Sequence, residues 1–283
     1  MGAFLSISCS LPVALEEEIP TLLFEIPVLG TEIKNRRDDR IDVTVFLADT
    51  EIDRTVEVQS LIAAAGGDRF EVVIVEEEDW MENYRRVVQP FEVGSTWWVD
   101  PRPDTPTAAP EGRKRLVVPP RMAFGSGSHE STRLILGSLE TADLRGRTVL
   151  DVGTGSGILA LASETMGAQR VLGVDIDPVA IRIACQIRDL QEWQPRVHYV
   201  TGSVGCAAPA LYDFVLCNMI SAHSIPLLDA MTTALAPGGI LVLAGLLVEE
   251  VESVTGELEQ RGLMTSPMIA QNEWASLSAG WSR

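Results

Sequence analysis

Apolar positions up to about Glu78 come in short runs of two kinds. Asp42–Leu47 reads D-V-T-V-F-L, the alternation of a half-buried strand. Ala3–Ser8 and Phe70–Val75 are strand-like as well, while Ala14–Phe24 and Thr55–Ala65 between them are helical. Strands and helices in this order predict a small α+β domain of ferredoxin-like type over residues 1–78. Residues 79–120 read differently. Asp79 caps a short helix through Gln89, and Pro90 stops it. After Trp97-Trp98-Val99 come prolines at 101, 103, 106, 110, 119 and 120, with Arg113-Lys114-Arg115 among them. That is the composition of an extended, semi-rigid linker.

From residue 121 to 283 the pattern changes again, to continuous apolar strands alternating with helices. Strands are expected at Thr148–Val152, Arg170–Ile176, Val197–Val200, Phe214–Leu216 and Ile240–Ala244. Helices are expected at Ile158–Met166, Val179–Trp193, Ile225–Leu235 and Glu249–Arg261. Regular β-α alternation with strands apolar on both sides implies a parallel, Rossmann-like sheet with helices on both faces. In such sheets ligands bind at the carboxyl ends of the strands, near the point where strand order reverses.

Composition narrows the function classes. The chain has 283 residues and a net charge of −18, and its first hundred residues hold 21 of the 40 acidic side chains against 8 of the 22 basic ones. A sequence-independent nucleic-acid binder needs many phosphate-neutralising cations, so this balance fits a basic protein partner better. Cys9, Cys185, Cys206 and Cys217 form no CxxC pair, and with three His residues they make no recognisable zinc spacing. No metal site is therefore expected, and the thiols read as reduced cysteines of a cytoplasmic protein. The N-terminus lacks the basic flank of a signal peptide, and no apolar run reaches the ~18–20 residues that span a bilayer.

The chemistry sits at strand ends. Val149-Leu150-Asp151-Val152-Gly153-Thr154-Gly155-Ser156-Gly157 is an apolar strand running into a glycine-rich turn and a helix. The spacing is G-x-G-x-G, one residue shorter than the dinucleotide fingerprint. Asp151 would repel a phosphate but could hold an α-amino group, which favours the amino-acid end of S-adenosylmethionine over NAD. Asp175 ends the next strand, where a carboxylate accepts both ribose hydroxyls. Asp177 and Pro178 then read as the cap and first residue of a helix. Asn218 ends the strand Phe214-Val215-Leu216-Cys217. Its carbonyl could accept a hydrogen bond from a substrate amine, or it could cap the next turn. Met219-Ile220 follows, with no aromatic platform on which a flipped base would stack. Met122–Thr132 (M-A-F-G-S-G-S-H-E-S-T) is a small, hydroxyl-rich loop that would wall the pocket, with Phe124 as an apolar contact and Thr132 as a hydrogen-bonding group. Out of context His129 reads as a surface histidine, and His198 and His223 carry no assigned role.

Together these segments resemble the PrmA family, the methyltransferases of large-subunit ribosomal protein eleven. The resemblance covers residues 79–283. It rests on Glu78-Asp79-Trp80, Met122–Thr132, Leu150–Leu159, Gly173–Pro178, Cys217-Asn218 and Glu273-Trp274. Ser126 and Ser128 stand where the family has threonines. The resemblance implies a class I methyltransferase domain that binds S-adenosylmethionine through Thr132, Gly153, Asp175 and Asn218. It also implies a small N-terminal domain that recognises the ribosomal protein and moves on its linker, and methylation of lysine side chains and the N-terminal amine. Gly155, Asp151 and Phe124 complete the expected cofactor site, and Asn218 is the expected catalytic residue. A methyltransferase for another protein or a nucleic acid, a non-catalytic cofactor-binding protein and an NAD oxidoreductase are the competing readings.

Overall fold

In this computed structural model of the chain, residues 3–23, 26–34, 39–76, 88–103, 108–119 and 127–281 are described. Strand alternation organises the first of two units, Met1–Val87. β1 (Ala3–Pro12) pairs antiparallel with β3 (Arg40–Ala48), setting Leu5, Ile7, Cys9 and Leu11 opposite Leu47, Val45, Val43 and Ile41. All eight are buried, because a period of two sends alternate side chains to one face. Between these strands lie α1 (Ile19–Leu22) and β2 (Val28–Lys34). α2 (Thr55–Ala64) covers the apolar face with Val58 and Ile62, and β4 (Asp68–Glu76) completes an antiparallel sheet of order β2-β3-β1-β4. β2 is not predicted by the sequence pattern. It is an edge strand whose pairing shifts register between Val28 and Gly30, and it leaves Leu29 and Ile33 exposed, so no buried period shows in it.

The second unit, Val88–Arg283, opens with a three-stranded sheet. It comprises β5 (Phe91–Val93), β6 (Trp97–Asp100) and β7 (Lys114–Val117). This sheet lies where the prolines suggested a linker. Pro101 and Pro103 follow β6, Pro110 precedes β7 and Pro119 follows it, so the ring residues mark strand ends without interrupting a ladder. Val93, Trp97, Val99, Leu116 and Val118 are buried in the main core, and the Trp97 indole donates to the Leu136 carbonyl at 3.0 Å. Asp100 is fully buried and accepts from the Arg115 guanidinium (2.8 Å) and the Arg102 amide (2.9 Å). The predicted helix Asp79–Gln89 lies outside the described residues except for its last two.

The main sheet follows from the β-α alternation. α3 (Glu130–Thr141), β8 (Thr148–Val152), α4 (Ile158–Thr165), β9 (Arg170–Asp175), α5 (Pro178–Asp189), β10 (Val197–Thr201) and β11 (Tyr212–Asn218) come in turn. They are followed by α6 (Ser221–Ser224), α7 (Leu228–Ala234), β12 (Leu235–Leu247) and α8 (Val251–Gln260). β13 (Leu263–Thr265), β14 (Ile269–Gln271) and β15 (Trp274–Trp281) finish the sheet. The order is β10-β9-β8-β11-β12-β15-β13, with β14 beside β15. Val149 and Leu216 face one buried cluster, while Leu150 and Val215 face another, which is why these strands read as apolar throughout. The sheet is mixed, not wholly parallel as the alternation implied. After α8 no helix joins β13, β14 and β15, and their short connections leave β15 antiparallel to β13 and β14; β15 also runs antiparallel to β12. Order reverses between β8 and β11, so their carboxyl ends frame the crevice. No helix among the described residues is long and apolar enough to cross a membrane.

Candidate functional site

A cavity of about 860 Å³ opens at that reversal. Its walls include Val152, Gly153, Gly155, Asp175, Ile176, Ala180, Val204 and Asn218, together with His129 and Trp274. The size suits a small-molecule ligand. β8 ends in a turn whose Gly153 has φ +68°, a value that L side chains rarely adopt. The Gly153 and Thr154 amides both donate to the Val174 carbonyl, at 2.8 and 3.0 Å, and fold the turn over the end of β9. A Cβ on Gly153 would stand 2.8 Å from the Met219 sulfur. Bare backbone is therefore what this wall presents.

Asp175 is held in place by its own surroundings. One carboxylate oxygen accepts from the Gly155 amide and the other from the Asp177 amide, each at 3.0 Å. Each oxygen keeps lone-pair capacity for a further donor. Asp177 caps α5, accepting from the Val179 amide at 2.7 Å with Pro178 behind it, as its spacing predicted.

Asn218 and Thr132 meet. The Asn218 Nδ2 donates to Thr132 Oγ1 at 3.0 Å, and the buried Oδ1 has no partner among the described residues. A buried carbonyl without a donor is costly, so the carboxamide presents an acceptor in want of a hydrogen. Thr132 itself is fully buried and stands behind Asn218, not on the cavity surface.

His129 belongs to the wall and not to the open surface. It caps α3, its Nδ1 accepting from the Ser131 amide at 3.3 Å, and its ring meets Trp274 edge-on at 4.7 Å. Phe124 lies outside the described residues, as does the rest of 120–126.

Asp151 is buried and does not reach the cavity wall. It accepts from the Thr154 hydroxyl at 2.6 Å, and its Oδ1 has no hydrogen bond among the described residues. Burial, opposed by the Thr154 hydrogen bond, pushes its pKa up to about 7. A carboxyl raised in the native state holds its proton there while the unfolded chain has already lost it. Stability contributed at this site therefore falls as pH rises from about 4 to about 7, and levels off above. Asp151→Asn removes the titration. Urea unfolding without ligand should show the variant gaining on the wild type by a few kcal/mol between pH 4 and pH 7.5. Parallel curves across that range would refute the assignment.

The model of the family "Ribosomal protein L11 methyltransferase (PrmA)" matches residues 5–280 of this chain. The chain belongs to the PrmA family. The match extends the resemblance seen at 79–283 across the first unit. A ribosomal protein L11 methyltransferase of Geotalea uraniireducens (strain Rf4) is 30% identical over 303 residues, covering 96% of each chain. One of Geobacter metallireducens is 31% identical over 294 residues, again covering 96% of each. A crystal structure of a ribosomal protein L11 methylase from Lactobacillus delbrueckii subsp. bulgaricus shares the fold. It superposes with a TM-score of 0.64 at 21% identity, covering 69% of this chain and all of that one. As a PrmA chain it presents Gly153, Gly155, Asp175 and Asn218 together on one cavity surface, with Thr132 and Asp151 directly behind them. The sequence did not single out Ile176 or Met219. Ile176 lines the cavity and is 77% exposed, and an apolar residue set between the strand-end Asp175 and the capping Asp177 is the sequence signal that could have found it.

Proposed function

We propose that the chain transfers methyl groups from S-adenosylmethionine to amines of ribosomal protein L11, on lysine side chains and at the N-terminus. One observation carries this reading: the Asn218 carboxamide, pinned through its nitrogen and left with an unpaired carbonyl beside the glycine turn. The residues fit the cofactor. The Asp175 carboxylate has capacity for a ribose diol, and Ile176, Ala180 and Val204 offer an apolar wall to a base. Gly153 and Gly155 let backbone approach the amino-acid end, and Thr132 keeps Asn218 aligned.

When bound, S-adenosylmethionine supplies a methyl already activated on a sulfonium. The protein's task is then positioning. An attacking lysine must be neutral, which at pH 7 costs roughly 4–5 kcal/mol from a pKa of ~10.4. Desolvation in the cavity lowers that cost. The Asn218 carbonyl accepts from the neutral amine and aims its lone pair. The surplus of acidic side chains suits a basic ribosomal protein, encountered in the cytoplasm without contact to nucleic acid.

The test uses methyl-labelled cofactor and a lysate in which endogenous methylation has been blocked. Label is expected in one small ribosomal protein. Label in a different protein would keep the reaction and discard the substrate, and label in RNA or DNA would overturn the reading of Asn218.

A further inference from the structure

Across the sheet, Tyr199 of β10 is in register with Gly173 of β9, and Gly173 with Asp151 of β8. Side chains in such a row point to one face, so the bare middle position leaves a slot between the outer two. The Tyr199 ring fills it. A Cβ on Gly173 would come within 2.6 Å of that ring and 2.7 Å of the Thr154 hydroxyl, and a Cβ on Gly157 would overlap the Tyr199 hydroxyl. That hydroxyl donates to the Gly157 carbonyl at 3.3 Å. Gly157 closes the glycine turn and caps α4, with φ +81°. Burial pushes the phenol well above its ordinary pKa, so it keeps the proton it donates.

The strand that bears Tyr199 runs on into Gly202, Ser203 and Val204, which line the far wall of the cavity, and the Gly202 amide donates to the Asp175 carbonyl at 2.8 Å. One side chain therefore joins two walls, the turn after β8 and the loop after β10, with Asp175 between them. We propose that Tyr199 is a positioning residue that braces the glycine turn against the loop after β10 and so sets the affinity for S-adenosylmethionine without touching it. This rests on the methyltransferase reading of the cavity.

The test is Tyr199→Phe, which removes the hydroxyl and leaves the ring in its slot. Val197→Ala on the same strand is the control, since Val197 is buried in the same core but pairs with Val171, two residues before Gly173. Binding of S-adenosylmethionine and S-adenosylhomocysteine is measured by calorimetry, and kcat at saturating cofactor and the ligand-free Tm are measured alongside. The wild-type isotherm, taken first, tests the methyltransferase reading by itself. Tyr199→Phe should bind both ligands about five- to tenfold more weakly, roughly the loss of one hydrogen bond, with kcat within about twofold. Val197→Ala should lose Tm and keep its affinity. Affinity within twofold of wild type in Tyr199→Phe would overturn the proposal, as would an affinity loss that tracks Tm equally in both variants.

Discussion

Gly153→Val should lose at least about two orders of magnitude in affinity for S-adenosylmethionine while remaining folded. Three effects add. The position has φ +68°, where a β-branched residue costs of order 1–3 kcal/mol. Its Cβ would stand 2.8 Å from the Met219 sulfur, so the Met219 side chain must shift. Its methyls would add bulk at a position where the cavity lining is now bare backbone. Met219 is flexible and can yield, so the fold should survive, with the expense falling on the cavity. Equilibrium dialysis with labelled cofactor reads the affinity, and circular dichroism confirms the fold. A folded variant binding within tenfold of wild type would show that the turn does not seat the cofactor.

Asn218→Ala should lower turnover at least tenfold, and on the order of a hundredfold if its carbonyl acts alone in aligning the amine. Binding of S-adenosylhomocysteine, which lacks the methyl, should change less than kcat. Thr132→Val should fall between the variant and wild type, because it frees the carboxamide to rotate without removing its oxygen. Near-normal kcat in folded Asn218→Ala would sink the assignment. Equal losses in kcat and in binding would instead make Asn218 a cofactor contact only.

The candidate site was legible where chemistry coincides with a strand's carboxyl end. The glycine turn, Asp175 and Asn218 each close an apolar run, and the parallel sheet brings such ends together. Asp151 was legible as a residue but not as a direction. Two positions before Gly153, it shares the pleat with Val149 and points beneath α4 among buried side chains, away from the crevice. His129 could not be placed because its role depends on capping α3 and on a ring contact to Trp274, far along the chain. The strands β5 to β7 were hidden by prolines that in fact mark their ends. β15, W-A-S-L-S-A-G-W, was hidden because small residues dilute the period that a buried strand usually shows.

That last strand has a consequence for how the protein is made. β15 is synthesised after β13 yet inserts between β13 and β12. Until it emerges, a nascent chain carries the outer edge of β12 unpaired, flanked by apolar residues such as Leu241 and Leu243. An open edge of this kind invites pairing with other chains. Trp274, the first residue of β15, also lines the cavity. A polypeptide still short of residue 274 would therefore be both sticky and without a finished cavity, and the step that silences its aggregation is the same step that completes its ligand site.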